Sequence, residues 1–397
     1  MTLALIEFDK ETYKRFLSDN LTEEECFELE KAGVLLKDDN EMEILKYNHN
    51  KKKFSRDTLN VTIKLTNDCN FRCVYCYQEH EKKYLSAENA KTIIEFFKKQ
   101  LNLGYNFIDV HWFGGEPLLN ENPLFEIEEF LVREKIKGTS DITTNGYTID
   151  EDLILKLKST RISSLQLTLD GDKEFHDSTR ILASGKGSFD DTINKIKLLT
   201  SNELEVYVRI NLNKKNQKLD SLLDRLNRLN IKNDLLHIYV NETTNFELSQ
   251  KIDNFYFSDL KEYADSYLDV QKTFLNKRMK FPRPALVDTG CAFNCDNSFL
   301  IETDLKLYFC TSSENNDSFE QGEILRSGDI KLNYENYCKR VNYSHFDDEK
   351  CVKCKLLPIC MGGCSLKRIM KKEPCIPEKY NIEEYIKLLY KEELGNV

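Results

Sequence analysis

The thirteen cysteines of this 397-residue chain are not spread along it. Three stand within eight residues, at Cys69, Cys73 and Cys76; nine more gather from Cys291 to Cys375, and Cys26 stands alone. A C-x3-C-x2-C trio cannot close a tetrahedral four-thiolate site by itself. It either borrows a fourth ligand or holds a four-iron cluster with one iron left open. The trio follows the alternating run Val61-Thr62-Ile63-Lys64-Leu65-Thr66, whose period of two predicts a strand. In a parallel β/α architecture the loop leaving such a strand lies at the catalytic end. Packing alone does not account for three thiols in one polar loop.

The C-terminal group contains Cys351-x2-Cys354-x5-Cys360-x3-Cys364, preceded by Cys291, Cys295 and Cys310 and followed by Cys375. Those eight thiols suffice for two four-thiolate sites, and the spacing alone permits either iron–sulfur clusters or structural zinc. Cys26 and Cys338 are left over and read as buried or idle thiols. Charge narrows the partners. The sum 57 − 67 = −10 disfavours a general nucleic-acid or anionic-membrane binder, which needs a basic face. No run of about 18 apolar residues is present to span a bilayer, and Met1-Thr2-Leu3-Ala4-Leu5-Ile6-Glu7 has none of the parts of a signal peptide. The expected location is the cytoplasm. In that compartment a disulfide framework is disfavoured, so metal or redox chemistry is the leading reading of the cysteines.

Cys69-Asn70-Phe71-Arg72-Cys73-Val74-Tyr75-Cys76 resembles the signature of the radical S-adenosylmethionine enzymes, including the aromatic residue before the third cysteine. About 40 residues on, Trp112-Phe113-Gly114-Gly115-Glu116-Pro117 is similar to the family's Gly-Gly-Glu motif. The C-terminal cysteines resemble the SPASM extension, which carries two auxiliary four-iron clusters in peptide- and protein-modifying members. The resemblance implies that Cys291, Cys295, Cys310 and Cys364 hold one and Cys351, Cys354, Cys360 and Cys375 the other. One departure stands out: where the extension usually has a glycine, five residues before the third cysteine, this chain has Leu305. Leu169-Asp170-Gly171 through His176-Asp177 and Arg180, with Val208-Arg209-Ile210-Asn211, look like the middle of maturases of ribosomally made peptides.

Between the motifs, strand and helix patterns alternate. Six strands are predicted near 60–66, 107–113, 139–143, 163–169, 205–211 and 235–240. Helical stripes run through Ala90, Ile93, Ile94, Phe97 and Leu101, and through Leu219, Leu222, Leu223, Leu226 and Leu229. Unit count and resemblance together give an α/β fold: a partial (β/α)6 TIM-like barrel over 56–285, a C-terminal cysteine-rich SPASM domain over 286–380, and a terminal helix over 381–397. Residues 1–55 form a small N-terminal appendage, in which Thr22 opens a helix, Gly33 stops it and Val34-Leu35-Leu36 is a short strand. Two roles are open for it: capping the barrel, or binding a leader peptide by strand addition.

The resemblance implies three [4Fe-4S] clusters and S-adenosyl-L-methionine as cofactors. Cys69, Cys73 and Cys76 hold the catalytic cluster, Glu116 accepts from the methionine ammonium and Tyr75 lies against the adenine, while Gly114 and Gly115 let the backbone come close. Asn145, Thr168 and Asn211, at predicted strand ends, are candidates for the carboxylate and the ribose hydroxyls. His176 is expected to be structural. Thr311 follows Cys310, where related anaerobic sulfatase maturases carry an aspartate thought to act as base. The function expected is a peptide maturase that abstracts hydrogen from a precursor peptide and forms a thioether or carbon–carbon crosslink. It would be served by an electron donor such as flavodoxin or ferredoxin, with no nucleic acid or membrane involved. Two readings compete with it: the same chemistry on a folded protein or small molecule, and a non-enzymatic zinc or iron–sulfur scaffold.

Overall fold

The structure, a computed structural model, describes residues 6–35, 40–232, 234–244, 254–283, 285–289, 291–313 and 316–394. Its strands are β1 (Thr58–Lys64), β2 (Phe71–Cys73), β3 (Phe107–Phe113), β4 (Ser140–Thr143), β5 (Ile162–Thr168), β6 (Arg180–Leu182), β7 (Glu205–Leu212), β8 (Leu236–Glu242), β9 (Ser298–Ile301), β10 (Lys306–Tyr308), β11 (Gly322–Ile324) and β12 (Ile330–Leu332). Six of them, β1, β3, β4, β5, β7 and β8, run parallel in that order. They fall within two residues of the six that alternation predicts.

The alternation explains the layering. Leu59, Val61 and Ile63 of β1 and Ile108, Val110 and Trp112 of β3 are buried in one core with Ala90, Ile93 and Phe97 of the helix Ala87–Asn102. The intervening residues, among them His111, Asp141, Gln166 and Arg209, occupy the other face of the curved sheet, the barrel interior. At one end, β9 pairs parallel with β1, so the sheet continues into the antiparallel strands β10 to β12 of the cysteine-rich region. At the other end β8 is an edge, and among the described residues no strand closes the barrel onto it.

The appendage differs from expectation. It is helical: α1 (Lys10–Leu17), α2 (Glu23–Lys31) and α3 (Glu41–Lys53). Thr22 and Glu25 form a reciprocal capping box on α2, and Gly33, at φ +74°, follows its end as foreseen. Val34 and Leu35 form a bend and not a strand, because each amide turns back to the Leu29 carbonyl; Leu36 to Asp39 lie outside the described residues. The buried residues of α3 are Leu45, His49 and Lys53, one per turn. Leu45 packs with Leu357 and Met361, His49 Nδ1 donates to the Asp288 carbonyl at 2.9 Å, and Lys53 Nζ donates to the Tyr343 carbonyl at 2.7 Å. Each of these partners belongs to the cysteine-rich half or the segment leading into it.

The terminal helix Glu378–Glu393 lies on the helix Leu260–Asn276, with Asn381 Nδ2 donating to the Ala264 carbonyl at 2.7 Å. Among the described residues no helix is long and apolar enough to cross a membrane.

Candidate active site

The trio sits where β1 ends. Thr66 ties the exit of the strand down: its hydroxyl donates to the Lys83 carbonyl at 2.7 Å and accepts the Asp68 amide at 3.0 Å. The Asp68 carboxylate accepts the Cys69 amide at 2.9 Å, and the Cys69 sulfur accepts the Phe71 amide at 3.3 Å. Cys73 is then held by pairing of β2 with β6, in which it stands opposite Arg180. All three thiols are partly buried and free of disulfides. Burial pushes the Cys69 thiol up to about 12 and the Cys73 thiol up to about 11.

Gly114 and Gly115 are glycines for the sake of this loop. A Cβ on Gly114 would stand 2.6 Å from the Thr66 carbonyl oxygen, and one on Gly115 only 2.3 Å from that of Asp68. The close backbone approach expected at these positions is therefore made to the cysteine loop itself. Gly115 N–H donates to Thr66 at 2.8 Å and Glu116 N–H to Asp68 at 2.8 Å. The Glu116 side chain is fully buried. Its carboxylate accepts the Thr144 hydroxyl at 2.6 Å, the Asn145 amide at 2.7 Å and the Leu118 amide at 3.1 Å. Burial raises its pKa against these three bonds. Glu116 thus joins the exits of β1, β3 and β4 into one unit.

Opposite it lies a second buried network. Tyr75 OH donates to Asp170 and accepts from Arg180 Nη1 at 2.9 Å and Asn211 Nδ2 at 3.2 Å. Its ring stacks on Phe255 at 5.8 Å. Asp170 also accepts the Asn211 amide at 3.2 Å; burial raises its pKa, and the Arg180 charge opposes the rise. Asp170, His176, Asp177 and Arg180 of the motif each have a hydrogen-bonding partner. His176 is buried between the Asp170 amide, 3.3 Å from Nδ1, and the Ser188 hydroxyl, 3.0 Å from Nε2, and burial holds its pKa well below the usual value. Asp177 accepts the Ser188 and Phe189 amides at the start of the helix Phe189–Ser201.

Asn145 donates to Asn70 at 2.7 Å and points the same amide at the Cys69 sulfur, 3.9 Å away. Thr168 is the last residue of β5, with only 8% of its surface exposed. Tyr75, Glu116, Asn145, Thr168 and Asn211 therefore converge with the trio at the C-terminal ends of the strands. Sequence reasoning passed over one pair. His111 on β3 and Asp141 on β4 stand in register on the inner face, with His111 Nδ1 bonded to Asp141 and Nε2 3.3 Å from the Thr143 hydroxyl.

The C-terminal thiols separate into neighbourhoods. Cys291 and Cys364 lie near Cys310, and Cys375, Cys351 and Cys354 lie near Cys360. Cys295 is buried beside Arg340, Lys53 and Lys52. Cys338 is exposed on the helix Tyr334–Val341, and Cys26 is half-buried on α2. Leu305 takes φ +72°, the conformation a glycine would favour, and the β9–β10 hairpin forms around it with Leu305 N–H donating to Glu302 at 2.9 Å.

Among the described residues no group of three or more His, Cys, Asp or Glu is drawn close enough to grip a single metal ion. A four-iron cluster asks for something else: thiolates spaced around a cube, with N–H donors aimed at sulfur. Backbone amides of Phe71, Ser312 and Lys367 supply such donors to Cys69 at 3.3 Å, Cys310 at 3.4 Å and Cys364 at 3.5 Å. The all-cysteine donor set is chemically that of iron–sulfur ligation, and iron would offset the burial that raises the free thiols.

The radical SAM superfamily model matches residues 63–240. The cysteine-type anaerobic sulfatase-maturating enzyme of Clostridium novyi is 26% identical over 357 residues, covering 82% of this chain and 91% of the relative. The radical SAM cyclopropyl synthase TigE of Paramaledivibacter caminithermalis is 24% identical over 373 residues, covering 84% and 74%. The solved structure of anSMEcpe with bound AdoMet superposes with a TM-score of 0.65 at 19% identity over 86% of this chain and 98% of that one. Streptococcus suis SuiB bound to precursor peptide SuiA gives 0.60 at 16% identity over 92% and 86%. These two likenesses bear on the fold.

Proposed function

This chain is a radical S-adenosylmethionine enzyme with a cysteine-rich, SPASM-like C-terminal region, and from that premise we propose that it is a maturase of a ribosomally made peptide. Enzymes of this kind generate a 5′-deoxyadenosyl radical, and members of the family use four-iron clusters and S-adenosylmethionine. In the proposal Cys69, Cys73 and Cys76 hold the cluster that binds S-adenosylmethionine. Cys291, Cys295, Cys310 and Cys364 hold one auxiliary cluster, and Cys351, Cys354, Cys360 and Cys375 the other. S-adenosylmethionine supplies the radical by one-electron cleavage of its sulfonium.

The chain's own residues position and exclude. Gly115 and Glu116 tie the trio's loop to the loop after β3, which positions the catalytic thiols against the barrel. Asn145, Thr168 and Asn211 offer polar groups at three neighbouring strand ends to the methionine and ribose parts. Tyr75, stacked on Phe255 and tied to Asp170 and Arg180, borders the trio. Eight auxiliary thiols, enough for full cysteine ligation of both clusters, favour electron relay over substrate binding at those clusters.

The observation that carries the peptide reading is the edge of β8, which pairs with no further strand among the described residues. A barrel that does not close admits an extended chain along its open side, where a closed one admits only small molecules. SuiB, of the same fold, has been solved with its precursor peptide. The test is mass spectrometry, after co-expression with this chain, of any small peptide encoded beside this gene. Loss of two hydrogens supports an oxidative crosslink, and an unmodified peptide contradicts it. A likeness of 26% identity to the sulfatase-maturating enzyme, over 82% of the chain, favours a second reading, modification of a folded protein. Thr311, in place of an aspartate, weighs against that reading.

A further inference from the structure

Two cations point at sulfur atoms in the same neighbourhood. Arg368, near the end of the short helix Ser365–Ile369, donates from Nη2 to the Cys351 sulfur at 3.3 Å and to the Gly362 carbonyl at 3.0 Å. From Nη1 it donates to Asp348 at 2.6 Å, and its guanidinium lies 5.8 Å from the centre of the Tyr343 ring. Lys379 Nζ donates to the Cys375 sulfur at 3.3 Å and to Glu373 at 2.8 Å. The backbone donors named above, at Cys69, Cys310 and Cys364, are by contrast neutral amides.

A charged donor on a ligating sulfur favours the reduced cluster, because the added electron makes the cluster more negative and strengthens the attraction. Asp348 and Glu373 oppose this. The cations, and not the carboxylates, bond the sulfurs, so the nearer positive charge prevails. Arg368 is the stronger of the two: 23% of its side chain is exposed against 42% for Lys379, and solvent screens it less. We propose that Arg368, with Lys379 as a second donor, holds the reduction potential of the cluster at Cys351, Cys354, Cys360 and Cys375 above what those thiolates alone would give, poising that cluster to take up an electron. Arg368 is a positioning residue here. The inference rests on reading those four thiols as a cluster site.

The test is a redox titration of the oxygen-free, reconstituted full chain followed by electron paramagnetic resonance, on wild type, Arg368→Met, Arg368→Lys and Lys379→Met. Iron content comes first. Three four-iron clusters require about twelve irons per chain; a wild-type chain holding only one or two clusters overturns the cluster reading before any titration, and this inference with it. With three clusters present, Arg368→Met is expected to lower one midpoint, cutting the reduced-to-oxidised ratio at the wild-type midpoint about tenfold, equivalent to ~59 mV for one electron. The other two midpoints stay in place, Arg368→Lys retains most of the wild-type value, and Lys379→Met shifts the same midpoint down by less. An unchanged midpoint, or an equal shift of all three, overturns the proposal. If Arg368→Met cannot hold the cluster, Lys379→Met decides by the same criterion.

Discussion

The amide of Glu116 donates to the carbonyl of Asp68 at 2.8 Å, one residue before the first cysteine of the trio. This bond and its neighbour from Gly115 to Thr66 make the loop after β3 the floor on which the cysteine loop rests. The Gly-Gly-Glu sequence is read most directly as a support for the trio's geometry.

Gly115→Ala tests that support. Its methyl would stand 2.3 Å from the Asp68 oxygen and 2.7 Å from that of Asn67, both backbone atoms that cannot step aside without moving the loop. The expected cost is about 1–3 kcal/mol of stability, with loss of iron from the trio. Thermal unfolding and iron content check it, and a variant with wild-type values of both would contradict the floor.

Leu305 poses a question of magnitudes. Relief of its left-handed backbone, φ +72°, by Leu305→Gly should return about 1–2 kcal/mol. Removing a leucine that is only 5% exposed and packed in the main core should cost more, about 2–5 kcal/mol. Leu305→Gly is therefore expected to be less stable than wild type by about 1–3 kcal/mol in denaturant titration. A more stable variant would show that the strain, and not the packing, dominates.

Much of this was legible in the sequence. Six strands stand where alternation puts them because each buries one face against amphipathic helices, and the trio's place after β1 follows from the same pattern. The continuation of the barrel sheet through β9 was not legible, since strands of three or four residues carry too little periodicity. The docking face of α3 was missed because two of its three buried residues are His49 and Lys53, which carry no apolar signal. Arg180 and Asp170 were visible only as a motif. Their bonds to Tyr75 span 105 and 95 residues of sequence.

The histidines at the α3 contact predict a pH dependence. His49 and His345 meet edge to face at 4.6 Å. Burial, and then the charges of His49 and Lys53, hold His345 down at about 4 from an ordinary 6.5. Burial lowers His49 too. A histidine depressed in the folded state contributes stability above its unfolded pKa and loses it as pH falls through the folded one. Stability should therefore fall between pH 6.5 and about 4, by up to roughly 3 kcal/mol from His345. Chemical denaturation across that range checks it: His345→Gln should flatten the slope, whatever its absolute stability, and an unchanged slope would place the acid sensitivity elsewhere.

The central claim is that three thiolates after β1 leave one iron of a cluster open to S-adenosylmethionine. The most direct measurement is 5′-deoxyadenosine formation by the oxygen-free, reconstituted and reduced chain, with the cluster's paramagnetic spectrum recorded before and after S-adenosylmethionine is added. The account predicts a changed spectrum and cleavage in wild type, and neither in Cys73→Ala. A spectrum indifferent to S-adenosylmethionine, or undiminished cleavage in Cys73→Ala, would contradict it.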